Sequence, residues 1–139
     1  MLLTIGELAK RGGVSVETVR FYQRKGLLPE PPKRLGKARL YPLEILAQLR
    51  FIRRAKGLDF TLKEIADLLK WRRLQREGRE APRGETCGVV HQRISDAIAT
   101  MEAKRRVLKS KQRALTHILA ACEGDKPVHS CGALAALEE

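Results

Sequence analysis

The chain has 139 residues, of which 43% are hydrophobic and only 4% aromatic, and its formal net charge is +12. A composition rich in aliphatic and poor in aromatic side chains predicts helices packed on one another and disfavours a sheet-rich fold. No apolar run approaches the ~20 residues that span a bilayer, and Glu7 and Lys10 lie where a signal peptide would be apolar, so we expect a cytoplasmic protein that does not bind a membrane.

The first two predicted helices are separated by a glycine turn. Thr4 and Glu7 have the spacing of a capping box, and two glycines end this short helix. Ser15 is the predicted N-cap of the second helix, which Gly26 ends about three turns later. A helix-turn-helix with a basic second helix is suited to the major groove of DNA. The predicted contacts from this second helix to DNA are Thr18, Arg20, Tyr22, Arg24 and Lys25.

Residues 27–42 contain four prolines and one glycine, which exclude a helix. We predict a basic hairpin that grips the DNA backbone as a wing. Its candidate DNA contacts are Lys33, Arg34, Lys37, Arg39 and Tyr41. The charge distribution agrees, because residues 1–80 hold 19 basic and 9 acidic side chains while residues 81–139 hold 9 and 7. A basic excess at one end is the electrostatic footprint of a nucleic-acid-binding module.

Two further helices are predicted at 43–56 and 61–73, the second with Thr61 as its N-cap. Apolar residues at helical spacing predict both helices. We therefore place a winged helix-turn-helix domain at 1–73. Residues 74–86 contain two glycines and a proline in a mostly polar stretch, and we interpret them as a linker.

A long helix is predicted at 87–121, because no proline occurs there and no glycine beyond its first turn. Apolar residues recur along it at intervals of seven, which predicts an all-α architecture that ends in a coiled-coil dimerisation helix. Arg105 and Gln112 interrupt the second apolar row, which favours two strands. The predicted dimer seam is Ile94, Ile98, Met101, Leu108, Leu115 and Leu119. Residues 122–139 are expected to form a loop and one short C-terminal helix.

Three cysteines, Cys87, Cys122 and Cys131, lie at the start, at the end and just past the end of this long helix. At 1.5 Å per residue the first two are roughly 50 Å apart on one helix, so they do not share a ligand within one chain. If two such helices pair antiparallel, Cys87 of one protomer meets Cys122 and Cys131 of the partner subunit. Two symmetric thiol sites, shared between the chains of a homodimer, would follow.

A site made of thiolates selects soft or borderline ions, and Hg(II), Pb(II), Cd(II) and Zn(II) all qualify. His129 lies on the same loop, but an exposed histidine is more often solvated than bound to a metal. A thiol redox sensor is the alternative of another class, because exposed thiols oxidise reversibly. The sequence contains no phosphate-binding glycine loop, nucleophile elbow or HExxH pair, so we do not expect an enzyme or an organic cofactor.

Several segments together resemble the MerR family of bacterial transcriptional regulators, and the match covers nearly the whole chain. These segments are Ile5–Ala9, Val16–Leu28, Arg39–Tyr41, Leu49–Ile52 and Leu62–Leu69. The resemblance implies a winged helix-turn-helix domain, an antiparallel coiled-coil dimer and an effector site at its ends. It also implies a mechanism in which metal binding makes the dimer bend and untwist promoter DNA, so that RNA polymerase engages and a repressor becomes an activator.

The resemblance also bears on the ion. A cysteine that opens the dimerisation helix, here Cys87, resembles the subgroup that senses soft divalent metals. The segment Val16–Leu28 is similar to the mercury sensors, whereas Gly132 after the last cysteine is similar to the lead and cadmium sensors. We expect Hg(II) to be the effector, with Pb(II), Cd(II) or Zn(II) as the alternative.

Overall fold

The computed structural model describes residues 1–139 and is mostly helical, as the sequence predicts. Its elements in chain order are β1 (Leu2–Leu3), α1 (Ile5–Gly12), α2 (Val16–Arg24), β2 (Tyr41–Pro42), α3 (Leu43–Gly57), α4 (Leu62–Glu77), α5 (Gly88–Ala120), a 3-10 turn (Val128–Ser130) and α6 (Gly132–Ala136). They form a first compact unit, Met1–Val90, and a second, His91–Glu139.

The helix-turn-helix begins and ends at the predicted residues. Thr4 caps α1, and its backbone amide donates to the Glu7 carboxylate at 2.8 Å, which completes the capping box. Gly13 ends α1 in the left-handed region, with a φ of 69°. Ser15 then caps α2 by accepting a hydrogen bond from the amide of Thr18 at 3.1 Å. Local side-chain chemistry therefore sets the geometry of this motif.

The hydrophobic core belongs to the first unit, where α1 packs on α2 and α3, and α3 packs on α4. Strands β1 and β2 pair antiparallel, with Leu3 opposite Tyr41, and they bring the wing back to the start of the chain. Two-residue strands are too short to produce an alternating pattern, and the sequence did not predict them. The largest fully buried side chains are Leu3, Leu8, Val19, Tyr41, Leu49, Ile52 and Ile65.

Helix α4 is one turn longer than the predicted 61–73, so the predicted linker at 74–86 begins as helix. It continues to Glu77 because Leu74 still supplies a buried side chain. Gly78 then ends the helix in the left-handed region, with a φ of 62°. The loop proper therefore starts at this glycine, whereas the sequence pattern placed its start four residues earlier.

Helix α5 runs over 33 residues, within one residue of the prediction at each end, and buries none of its side chains in this chain. The six apolar residues of the predicted seam expose between 39% and 70% of their surface. A continuous apolar stripe on a solvated helix is the pattern of a surface that pairs with another helix. No helix of the structure has the length and hydrophobicity needed to cross a membrane.

Candidate DNA interface and thiol site

The exposed face of α2 carries the basic residues that the sequence assigns to DNA. Arg20 is exposed, and Arg24 pairs with Glu17 at 3.2 Å. Both members of that pair are more than half exposed, so the pair is weak and leaves Arg24 available to another anion. The Lys25 Nζ atom lies 5.7 Å from the centre of the Phe21 ring. This face therefore presents three cations to solvent from one helix.

The wing contains the predicted hairpin in a minimal form. The amide of Lys37 donates to the carbonyl of Arg34 at 3.0 Å, across a turn made by Leu35 and Gly36. Gly36 has a φ of 63°, a conformation that suits glycine. Lys33 is exposed beside this turn, as are Arg34 and Lys37. The tip therefore holds three cations on a short, constrained loop.

Arg39 has a structural contact that the sequence did not reveal. Its Nη1 atom lies 2.9 Å from the Glu30 carboxylate, and its Nε donates to the carbonyl of Pro31 at 2.7 Å. These contacts tie Arg39, near the end of the wing, to Glu30 and Pro31 at its start. Arg39 therefore fixes the shape of the loop.

The two tyrosines among the predicted DNA contacts have their rings in the hydrophobic core. Tyr22 and Tyr41 expose only 7% and 2% of their surface, so both rings belong to the core. Burial raises the pKa of Tyr22. The Tyr41 hydroxyl accepts a hydrogen bond from Gln23 Nε2 at 3.0 Å. The aromatic rings are large apolar surfaces that pack in the core, and contact of their hydroxyls with DNA stays a prediction.

Gln23 is a residue of this interface that sequence reasoning missed. Its Nε2 also donates to the carbonyl of Pro29 at 3.3 Å, which ties α2 to the first residues of the wing. The available signal was its position three residues after Arg20, on the same helix face. An open groove of about 540 Å³ lies here, and Arg20, Arg24 and Arg39 line it together with Tyr41 and with Glu30, the partner of Arg39. Three guanidinium groups around one groove suit a phosphate-rich ligand.

The structure brings two of the three cysteines together. Cys122 lies in the loop after α5 and Cys131 lies directly before α6, and Gly132, the residue after Cys131, lies against the carbonyl of Ala121, the residue before Cys122. The backbone amides of Leu134 and Ala133, at the start of α6, are the main cause that holds the pKa of Cys131 below its ordinary value, and the Cys122 thiol contributes less. The fold therefore places two cysteines of one chain near each other.

Cys87 lies in the first unit, exposed at the start of α5. The loop that leads to it is fastened to α4, because Trp71 Nε1 donates to the Glu85 carboxylate at 3.4 Å. His129 is exposed on the 3-10 turn before Cys131. Within one chain, no group of three or more histidine, cysteine, aspartate or glutamate side chains is arranged to hold a metal ion. One chain thus supplies a pair of thiols and, separately, a single exposed thiol.

Comparison with known proteins gives matches over almost the whole chain. Residues 3–71 match the profile described as MerR HTH family regulatory protein, and residues 46–120 match the profile described as MerR, DNA binding. The mercuric resistance operon regulatory protein of Serratia marcescens is 36% identical over 136 residues, which cover 98% of this chain and 88% of that protein.

Two solved structures are similar along their full length. A transcription regulator from Ralstonia metallidurans in complex with lead(II) has 37% identity and a TM-score of 0.78, with 97% of this chain and 98% of the other covered. The dual-function regulator MerR from Bacillus megaterium in complex with mercury(II) has 30% identity and a TM-score of 0.66, with 99% and 100% covered. The similarity therefore includes both the helix-turn-helix and the C-terminal helices.

Proposed function

The chain belongs to the MerR family of helix-turn-helix transcriptional regulators, which are not enzymes, and from this premise we propose that it works as a homodimer whose thiols sense a soft divalent metal ion. The ligands are Cys87, Cys122 and Cys131, and the effector is Hg(II). The dimer acts in the cytoplasm, on promoter DNA.

The proximity of Cys122 and Cys131, whose neighbours Ala121 and Gly132 are in backbone contact, is the observation that carries this proposal. Two thiols held together by the fold make two thirds of a trigonal site for a soft cation. The third ligand is Cys87 of the partner subunit, which arrives if the two α5 helices pair antiparallel. The exposed apolar stripe along α5 supports that pairing, because it has no other apolar surface to cover it in this chain.

The choice of Hg(II) rests on thiolate chemistry and on the relatives. Three thiolates carry three negative charges, and the metal ion carries two positive ones. Because thiolates are soft ligands, a site of this type binds the softest ions best. Its affinity falls at low pH, because the thiols must lose their protons to bind. The Serratia relative is named for mercuric resistance, which favours Hg(II). The Ralstonia structure holds lead(II), and Pb(II), with Cd(II) or Zn(II), is therefore the alternative effector.

The DNA step follows from the same architecture. The two helix-turn-helix units of the dimer bind two half-sites of a promoter, and metal binding changes their relative placement. Bending and untwisting a promoter costs a few kcal/mol, which a metal that binds the two protein states unequally is able to supply. The distorted promoter then engages RNA polymerase, so one protein represses without metal and activates with it.

A competition titration tests the effector. We expect the reduced protein to develop a thiolate-to-metal ultraviolet band with Hg(II), to retain the ion against an excess of a small thiol, and to resist displacement by Pb(II), Cd(II) or Zn(II). Preferential retention of Pb(II) or Cd(II) would make that ion the effector and leave the proposed site unchanged. Absence of a thiolate band with every ion would reject metal sensing and leave the redox sensor, which a reversible Cys122–Cys131 disulfide would identify.

A substitution of Arg20 tests the DNA face. We expect Arg20→Ala to weaken operator binding by about 1–3 kcal/mol if the guanidinium binds a base edge, or to lower the salt slope by about one if it binds a phosphate. Fluorescence anisotropy with labelled operator at several salt concentrations measures both quantities. Lys104→Ala, a loss of the same charge on α5, is the control and should change neither. If Arg20→Ala behaves like this control, Arg20 lies outside the interface.

A further inference from the structure

We propose that Gly132 is a positioning residue of the thiol site, because the space left by its missing side chain lets α6 approach the end of α5 and brings Cys131 to Cys122. The inference rests on the proposed metal-sensing function, which it deepens. It concerns the assembly of the thiol pair within one chain and does not depend on which ion binds.

The close approach is between backbones. A Cβ atom added at Gly132 would overlap the carbonyl oxygen of Ala121, and it would lie 3.3 Å from the carbonyl carbon and 3.7 Å from the Cβ of the same residue. Ala121 is the residue before Cys122, and Gly132 is the residue after Cys131. The two residues in contact are therefore the direct neighbours of the two thiols.

Backbone conformation does not explain why residue 132 is a glycine. Gly132 is not among the glycines with a positive φ, unlike Gly124 in the preceding loop, whose φ is 80°. Gly132 opens α6, where alanine is the better helix former. If local conformation were the only requirement, alanine at this position would be favourable. The contact with Ala121 reverses that expectation, because a carbonyl group cannot rotate away as the end of a flexible side chain can.

A methyl group at this position must therefore push α6 away from the end of α5. Cys131 is the N-cap residue of α6 and moves with it, whereas Cys122 stays with α5. Metal–sulfur bonds are short, about 2.3 Å for zinc, so two sulfurs serve one ion only when both lie close to it. A displacement of the α6 backbone thus separates the two ligands without removing either of them.

The test measures the thiol pair alone, in a Cys87→Ser background. Phenylarsine oxide is the probe: its arsenic forms one bond to each of two thiol sulfurs, and its oxygen leaves as water with the two thiol protons. We expect one arsenical per chain with Gly132 present and an affinity about 10- to 100-fold lower in Gly132→Ala, the range seen when a ligand loses its support. A chain that also lacks Cys131 should not bind tightly.

Two variants are matched controls. Gly57→Ala adds the same methyl group where nothing lies within 4 Å, and Ala133→Gly changes the helix propensity of α6 without adding an atom. Both should bind the arsenical as the parent chain does. If Gly132→Ala binds equally well, or if all three variants lose affinity together, the proposal is overturned.

A second measurement keeps the test independent of folding and of the ion. The Cys122–Cys131 disulfide, in equilibrium with reduced and oxidised glutathione, reports the effective concentration of one thiol at the other. We expect a tenfold or greater fall in Gly132→Ala, by the same displacement, while operator binding by the first unit persists. An unchanged disulfide equilibrium would overturn the inference. Failure of the protein to respond to Hg(II) would overturn only the proposed function.

Discussion

Serine in place of any one of Cys87, Cys122 and Cys131 is expected to abolish metal-induced transcription. A hydroxyl is a hard and weakly acidic group, and it does not replace a thiolate on a soft ion. The three cysteines are exposed or half-buried and lie outside the hydrophobic core. Operator binding by the metal-free protein should therefore change by no more than about twofold, as for other surface substitutions.

A promoter-reporter assay with and without Hg(II), together with operator binding in the presence of a chelator, measures the two effects separately. His129→Ala is the matched control, because it removes a potential ligand from the same loop and should leave the Hg(II) response intact. Normal induction by all three serine variants would remove the metal site. Normal induction by only one would remove that cysteine from the ligand set.

Mixed dimers decide whether the site is shared between chains. A Cys87→Ser chain combined with a chain that carries both Cys122→Ser and Cys131→Ser retains one complete set of ligands if Cys87 binds with the cysteines of the partner. We expect one three-thiolate Hg(II) per mixed dimer, whereas either variant alone should have none. Absence of that ion in the mixed dimer would refute an antiparallel, shared site.

Two carboxylates introduced into the seam of each chain are expected to dissociate the dimer into monomers. Leu108 and Leu115 are 65% and 64% exposed in the single chain, and in an antiparallel coiled coil both become buried. Leu108→Glu with Leu115→Glu would place carboxylates in that seam at a large desolvation cost. A monomer contacts one half-site only, so we expect operator affinity to fall by about 100-fold or more, the usual gain from linking two binding modules.

Ala103→Glu with Ser110→Glu is the matched control. These positions follow Met101 and Leu108 by two residues, about 200° around the helix, so they add the same charge on the opposite side. Analytical ultracentrifugation gives the oligomeric state, and operator titration gives the affinity. A seam variant that remains dimeric, or a control that dissociates equally, would show that the heptad stripe is not the interface.

The helix boundaries were predictable because they depend on neighbours in sequence. Thr4, Ser15 and Thr61 each satisfy free amides one turn away in their own helix, and Gly13 adopts a conformation that costs other residues energy. The seven-residue repeat likewise identified the exposed stripe of α5. Such features require only local geometry, so the pattern of residue types carries them.

Other features depend on which surfaces meet after the chain has folded. The sequence named Tyr22 and Tyr41 as DNA contacts, and the tertiary structure adds that both rings pack in the core. Buried Leu74 extends α4 past the residue where polarity suggested a linker. Gln23 gains its partners only when the wing folds back on α2.

Some features of the thiol site were likewise predictable from the sequence, and others depend on the tertiary structure. The sequence by itself determined the three cysteines that we propose as soft ligands and the helix that separates Cys87 from the others. The tertiary structure decided that Gly132 lies against Ala121, and this contact brings the adjacent Cys131 and Cys122 near each other. The spacing of nine residues permits many loop conformations, and the backbone contact between the ends of α5 and α6 selects one in which the two cysteines are neighbours in space.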